Sequence, residues 1–109
     1  MGKSNKEVRK EYDEKVKNIP NLLDYSKTLE EQAVQAFELR NAYRKEARNE
    51  MENQEERAIL EKVRPNLTFD DMVKHKMLDK HLSLEDAYRD IISSASITNK
   101  EVDDRFKKE

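Results

Sequence analysis

Cysteine is absent from the 109-residue chain, and glycine occurs once, at Gly2. Without cysteine there is no disulfide framework, no thiolate zinc site and no thiol nucleophile. Phosphate-cradling loops need glycine for close backbone approach, and tight hairpins need it for positive φ, so P-loop, dinucleotide-fold and β-hairpin readings are all poor. No apolar run approaches the length of a membrane span or a signal-peptide core, which predicts a soluble chain that carries no leader and has no membrane partner. Charge of one sign is also lacking. Charged residues make up 42% of the chain against 35% apolar, yet the net charge is only −2, and it is spread evenly along the sequence. No segment is a basic arm, so a general nucleic-acid footprint is missing, and low net charge with periodic apolar residues argues for a folded protein rather than a solvating tail.

What is present is a series of clearly written helix starts. A hydroxyl residue followed three positions later by an acid lets side chain and backbone N–H satisfy each other, and this occurs at Ser4…Glu7, Thr28…Glu31 and Thr98…Glu101, with aspartate versions at Thr68…Asp71 and Ser83…Asp86. Hydrophobic staples are expected for Leu67 with Met72, Leu82 with Ala87, and Ile97 with Val102.

In chain order, the spacing predicts a first helix over about 5–18. Its narrow stripe of Val8, Tyr12, Val16 and Ile19 packs only at its edge, and it stops before Pro20. Residues 21–27 connect, docking through Leu22, Leu23 and Tyr25. A long amphipathic helix over 28–51 follows, with Leu29, Ala33, Phe37, Leu39, Tyr43, Ala47 and Met51 on its apolar side. No residue of 52–57 is apolar, and Ala58, Ile59, Leu60 and Val63 resume the pattern before a turn at Pro65-Asn66; the pattern leaves open whether the helix continues through 52–57. A helix over about 69–80 carries Phe69, Met72, Val73, Lys76 and Met77. One over about 84–94 carries Leu84, Ala87, Tyr88, Ile91, Ile92 and Ala95 as the core helix, and a last one over about 99–108 buries Val102 and Phe106. Short connections make sequential helices neighbours. The expectation is therefore all-α: one domain over 1–109, a compact bundle of five to six helices around the long one, with 1–27 as N-terminal helix and connector and 28–109 as core bundle.

Within the long helix Arg40, Arg44 and Arg48 recur every fourth residue, which stacks three guanidiniums in one row roughly 6 Å apart per step. Arg48 alone has an acid one turn away, Glu52, so the row looks beyond its own helix for anions. Carboxylates of later helices, among Asp70, Asp71, Glu85, Asp86 and Asp90, are one source. A phosphate or an acidic partner surface, with Asn41 and Tyr43 flanking, is the other. His75 has Asp71 and Asp79 one turn away, the arrangement of an acid–base pair, although ordinary exposed histidine explains both His75 and His81. Ser93, Ser94, Ser96, Thr98 and Asn99 end one helix and cap the next, and the N–H groups there can hold an anion. Asn66-Leu67-Thr68 fits a glycosylation sequon, but capping accounts for Thr68. No pattern of metal ligands or cofactor loop is present.

Three stretches, Leu39-Arg40-Asn41-x-Tyr43-Arg44-x-x-Ala47-Arg48-x-x-Met51, Arg64-Pro65-Asn66-Leu67-Thr68-Phe69, and Ile91-Ile92-x-Ser94-Ala95-x-x-Thr98-Asn99-x-x-Val102, together resemble a segment at the extreme C-terminus of bacterial polymorphic toxins. The resemblance covers about residues 28–106. It implies an effector domain of a bacterial competition system, fused in its relatives to a delivery region and restrained by a cognate immunity protein. Such a domain is cytoplasmic as given, or exported as part of a larger toxin. The reaction is left open. With Arg40, Asn41, Tyr43, Arg44, Arg48, Ser94, Thr98 and Asn99 as the binding set and His75 as acid or base, nucleic acid is the substrate to look for. The rival reading is a non-catalytic helical module, a phage or host-interaction protein, that binds a protein partner through the same face.

Overall fold

The computed structural model describes residues 4–51, 68–98 and 100–101. Over these residues the fold is all-α, with helices α1 (Asn5–Lys17), α2 (Ile19–Leu22), α3 (Leu29–Glu50), α4 (Phe69–Asp79) and α5 (Leu84–Ala95), and no strand. The expectations for 52–67, for Asn99 and for the final helix beyond Glu101 fall outside the described residues, as do the staples that use Leu67 and Val102.

Except for α2, whose N-cap Asn18 makes no side-chain cap, each described helix start is where the hydroxyl pattern puts it. The side chains of Ser4, Thr28, Thr68 and Ser83 accept the N–H three residues on, and Thr98 accepts from Glu101. Among these, the reciprocal capping box closes only at Thr68–Asp71. At Thr28 the hydroxyl and the Glu31 carboxylate instead bond each other directly, at 2.9 Å. Asn18 separates α1 from α2, and Pro20 sits in the first turn of α2, where its fixed φ suits a helix and its missing N–H costs nothing. The expected connector thus begins with a helical turn. Gln35 ties its end to α3, accepting from the Asp24 N–H at 3.0 Å and donating to the Leu22 carbonyl at 3.2 Å. Of the three expected docking residues only Leu23 is buried. Leu22 and Tyr25 face solvent, the Tyr25 hydroxyl donating to the Pro20 carbonyl at 2.7 Å.

Helix α3 is the axis of the molecule, and it divides the core into two clusters. On one side Val8, Tyr12 and Val16 of α1, with Ile19 and Leu23, pack against Ala36, Ala47 and Met51, and Ala95 of α5 joins them. On the other side Ala33 and Phe37 meet Met72 and Val73 of α4 and Ala87 and Ile91 of α5, with Ile92 touching both clusters. The first helix is therefore not an edge element: Val16 and Ile19 are fully buried, and Val8 and Tyr12 nearly so. Its apolar stripe is one residue wide per turn, and alanines on α3 let that narrow stripe approach the backbone closely enough to be enclosed. Within α5, Ala87, Ile91 and Ala95 are buried as expected of a core helix, but Leu84 at its start is about half exposed.

Candidate functional site

Helix α5 ends without the usual devices. There is no basic residue in its last turn, and its C-cap, Ser96, is not a left-handed glycine. The last carbonyls of a helix lack intrahelical donors and carry its negative dipole end, so they need an outside partner. Arg40 supplies it from α3. Its Nη1 donates to the Ser94 carbonyl at 3.1 Å and to the Ala95 carbonyl at 2.6 Å, across 54 and 55 residues of chain. At 1% exposure Arg40 is among the largest fully buried side chains of the protein.

Arg44, one turn along, is also buried. Burial lowers both guanidiniums from their ordinary pKa. Tyr12, itself buried, faces both and opposes the shift, as do the carboxylates of Asp13 and Glu101 at Arg40. Arg40 and Arg48 push the Arg44 value further down, the like-charge repulsion that the four-residue spacing implies. Arg40 Nε and Arg44 Nη2 are buried with no hydrogen-bond partner. The hydrogen bonds that Arg40 donates across the fold go to main-chain carbonyls, while the carboxylates of Asp13 and Glu101 act on it through charge. The carboxylate of Asp90 is held instead by Lys76 at 2.6 Å and Lys80 at 3.2 Å.

The remaining expected residues are dispersed. Asn41, Tyr43 and Arg48 are half-buried on α3, with the Lys15 ammonium 5.8 Å from the Tyr43 ring centroid. His75 lies on the outer face of α4, mostly exposed, its Nε2 2.9 Å from the Asp79 carboxylate. The Ser94 hydroxyl donates back to the Ile91 carbonyl, and buried Thr98 caps the Glu101 N–H. Arg40 and Ser94 are therefore brought together, though through the Ser94 main chain. His75 does not join them, its described ion pair being with Asp79. Among the described residues no three His, Asp or Glu side chains form a group that could hold a metal ion, and no helix is long and apolar enough to cross a membrane.

Two features escaped the sequence. Tyr12 reads as an ordinary core aromatic until its contact with both arginines is seen, and nothing local to α1 signals it. The second is a groove of about 590 Å³ along the outer face of α1, lined by Lys6, Arg9, Lys10, Asp13, Glu14 and Lys17, with Lys100 on its other wall. Its signal was present as lysines recurring on one side of α1, but the later wall comes from a residue more than eighty positions away. Compared with protein-family models, curated proteins and solved structures, the chain matches none.

Proposed function

We propose that the chain is a non-catalytic helical module that works by binding another protein. The observation that carries this reading is the use of Arg40: one of the three arginines expected to look for an external anion closes the end of α5 inside the fold. Acid–base chemistry on a phosphodiester needs a cation and a titrating group within reach of one reacting atom. His75 lies on the outer face of α4, paired with Asp79, while Arg40 and Arg44 are buried.

The second reading is the toxin-type effector restrained by an immunity protein, supported by the motif stretches and by Asn41, Tyr43 and Arg48 remaining partly accessible on α3. Both readings give the chain a protein partner. They separate on activity. Induced at high soluble level in a bacterium, with no immunity protein present, the full chain is expected to leave growth normal, and the purified chain is expected to leave RNA and DNA intact with or without divalent ions. Growth arrest that Arg48→Ala relieves in a stably folded variant would replace the module with the effector.

A further inference from the structure

The groove on α1 is lined entirely by charged side chains among the described residues, and its charges are ordered. Lys6, Arg9 and Lys10 lie at one end and Lys17 at the other, with Lys100 opposite and Asp13 and Glu14 between them. Lys6, Lys10, Lys17 and Lys100 are all exposed, and none is ion-paired with a described residue. From Lys6 to Lys17 the helix rises about 16 Å. A single phosphate would use one end of such a groove and leave the other unoccupied.

We propose that this groove seats a segment of a partner protein that is acidic at both ends and neutral or basic in the middle; this rests on the binding-module reading above and names the surface it would use. The order of charges selects the occupant. A nucleic-acid strand carries one negative charge per nucleotide without interruption, so it cannot lie along Lys6, Lys10 and Lys17 without setting a phosphate against exposed Glu14, half-buried Asp13 being engaged in part with Arg40. A polypeptide can place a lysine or an uncharged residue at that point and acids on either side, and like-charge juxtaposition is what excludes the uniform polyanion. A span of about 16 Å takes roughly five extended residues or three helical turns, the size of a short linear segment.

The test is binding of the full chain to a synthetic peptide of about ten residues, long enough for that span, with glutamates at both ends and one lysine at its centre. Two competitors of equal length are an all-glutamate peptide and a single-stranded oligonucleotide. The mixed peptide is expected to bind tightest, and to weaken as salt rises from about 0.05 M to about 0.5 M, where the screening length falls well below the groove's span. The variant carrying Lys6→Glu, Lys10→Glu and Lys17→Glu is expected to lose at least about tenfold, one decade of affinity. Lys45→Glu, exposed on α3 and outside the groove, should bind as the parent does. The three lysines are exposed, and an unchanged circular dichroism melt shows that the reversals leave the fold intact. Tighter binding of the oligonucleotide, equal binding by the triple variant, or no binding of the mixed peptide would each overturn the proposal. Self-association that the triple variant abolishes would also overturn it, by giving the groove to a second copy of the chain. None of these results touches the activity test, so a failed groove and a failed module reading remain distinguishable.

Discussion

Toward α1, helix α3 presents Ala36 and Ala47 flanking two buried arginines, and a tyrosine from α1 is the side chain that faces both guanidiniums. Toward α4 and the first turns of α5 it presents Ala33 and Phe37. There the neighbours are methionine, valine and isoleucine, with Phe69 edge-on to Phe37 at 5.8 Å and stacked on Tyr88 at 6.1 Å. On that side the buried side chains are apolar, and the ion pairs of Asp90 with Lys76 and Lys80 lie toward solvent. The other also holds charge taken out of water, which costs free energy unless its hydrogen bonds are made. That side is where α5 ends, and a helix end brought inside must bring a donor with it. The polar residues in the α1-side core follow from where a neighbouring helix stops.

The sharpest way to break this comparison is on the aromatic side. Phe37→Ala removes a large side chain that is 7% exposed, together with its edge-on contact to Phe69, and nothing polar nearby can use the space. The expected loss is about 3–5 kcal/mol in urea unfolding. A loss under about 1 kcal/mol would mean that this cluster does not hold α4 to α3.

On the arginine side the two guanidiniums should behave unequally. Arg40→Met keeps most of the stem volume but removes the guanidinium donor from the Ala95 carbonyl and leaves the Ser94 carbonyl with main-chain donors alone, and roughly 2–3 kcal/mol should be lost. Arg44→Met removes a cation that has an unpartnered buried Nη2 and is repelled by its neighbours, so its effect should stay within about 1 kcal/mol of zero. A larger loss at Arg44 than at Arg40 would reverse the assignment of the structural arginine.

These side chains also mark how far the sequence could be read. Ser4, Thr28, Thr68 and Ser83 announce their helices because a cap is local: donor and acceptor lie three residues apart, and spacing alone identifies them. The burial of Ala33, Ala87 and Ile91 was legible for the same reason, through helical period. The destination of Arg40 was not. Its spacing shows that it lacks an anion on its own helix, but its actual partners are backbone carbonyls, which every residue has and no composition reveals. The depth of α1 is not legible from the width of its stripe, because a narrow stripe is enclosed when its counterpart is alanine. The α1 groove depends on a tertiary juxtaposition with Lys100, so only its lysines, and not its shape, were visible.

Asp90 offers a smaller and pH-dependent test on the aromatic side, where Lys76 and Lys80 link α4 to α5. Burial would raise its carboxyl pKa, but the hydrogen bonds and charges of the two lysines outweigh that, and the folded value lies below the ordinary one. A depressed carboxylate stabilises fully above the unfolded pKa of about 3.9 and loses that contribution as pH falls through the folded value. Asp90→Asn should therefore cost of order 1 kcal/mol at neutral pH, and the gap between variant and parent should close below about pH 4. A gap that persists unchanged to lower pH would show that the loss comes from packing and not from charge.

The smallest expected effect concerns how α4 ends, in contrast with α5. Helix α4 stops at solvent, where water satisfies its carbonyls, and the chain reverses through His81 at φ 53. In a chain with no glycine to spare, a histidine occupies the left-handed position that glycine normally takes after a helix. Its Cβ crowds the following carbonyl there, at a cost of roughly 1 kcal/mol, part of which a glycine would return as unfolded-state entropy. His81→Gly should thus stabilise by up to about 0.5 kcal/mol, while His81→Val, β-branched and poorly tolerated at positive φ, should destabilise by about 1 kcal/mol or more. The pair of variants is decisive where either alone is not. If both shift the melt in the same direction, or glycine is the worse of the two, His81 is held at this turn by contacts of its side chain. The α4 terminus would then depend on a specific residue, as the α5 terminus depends on Arg40.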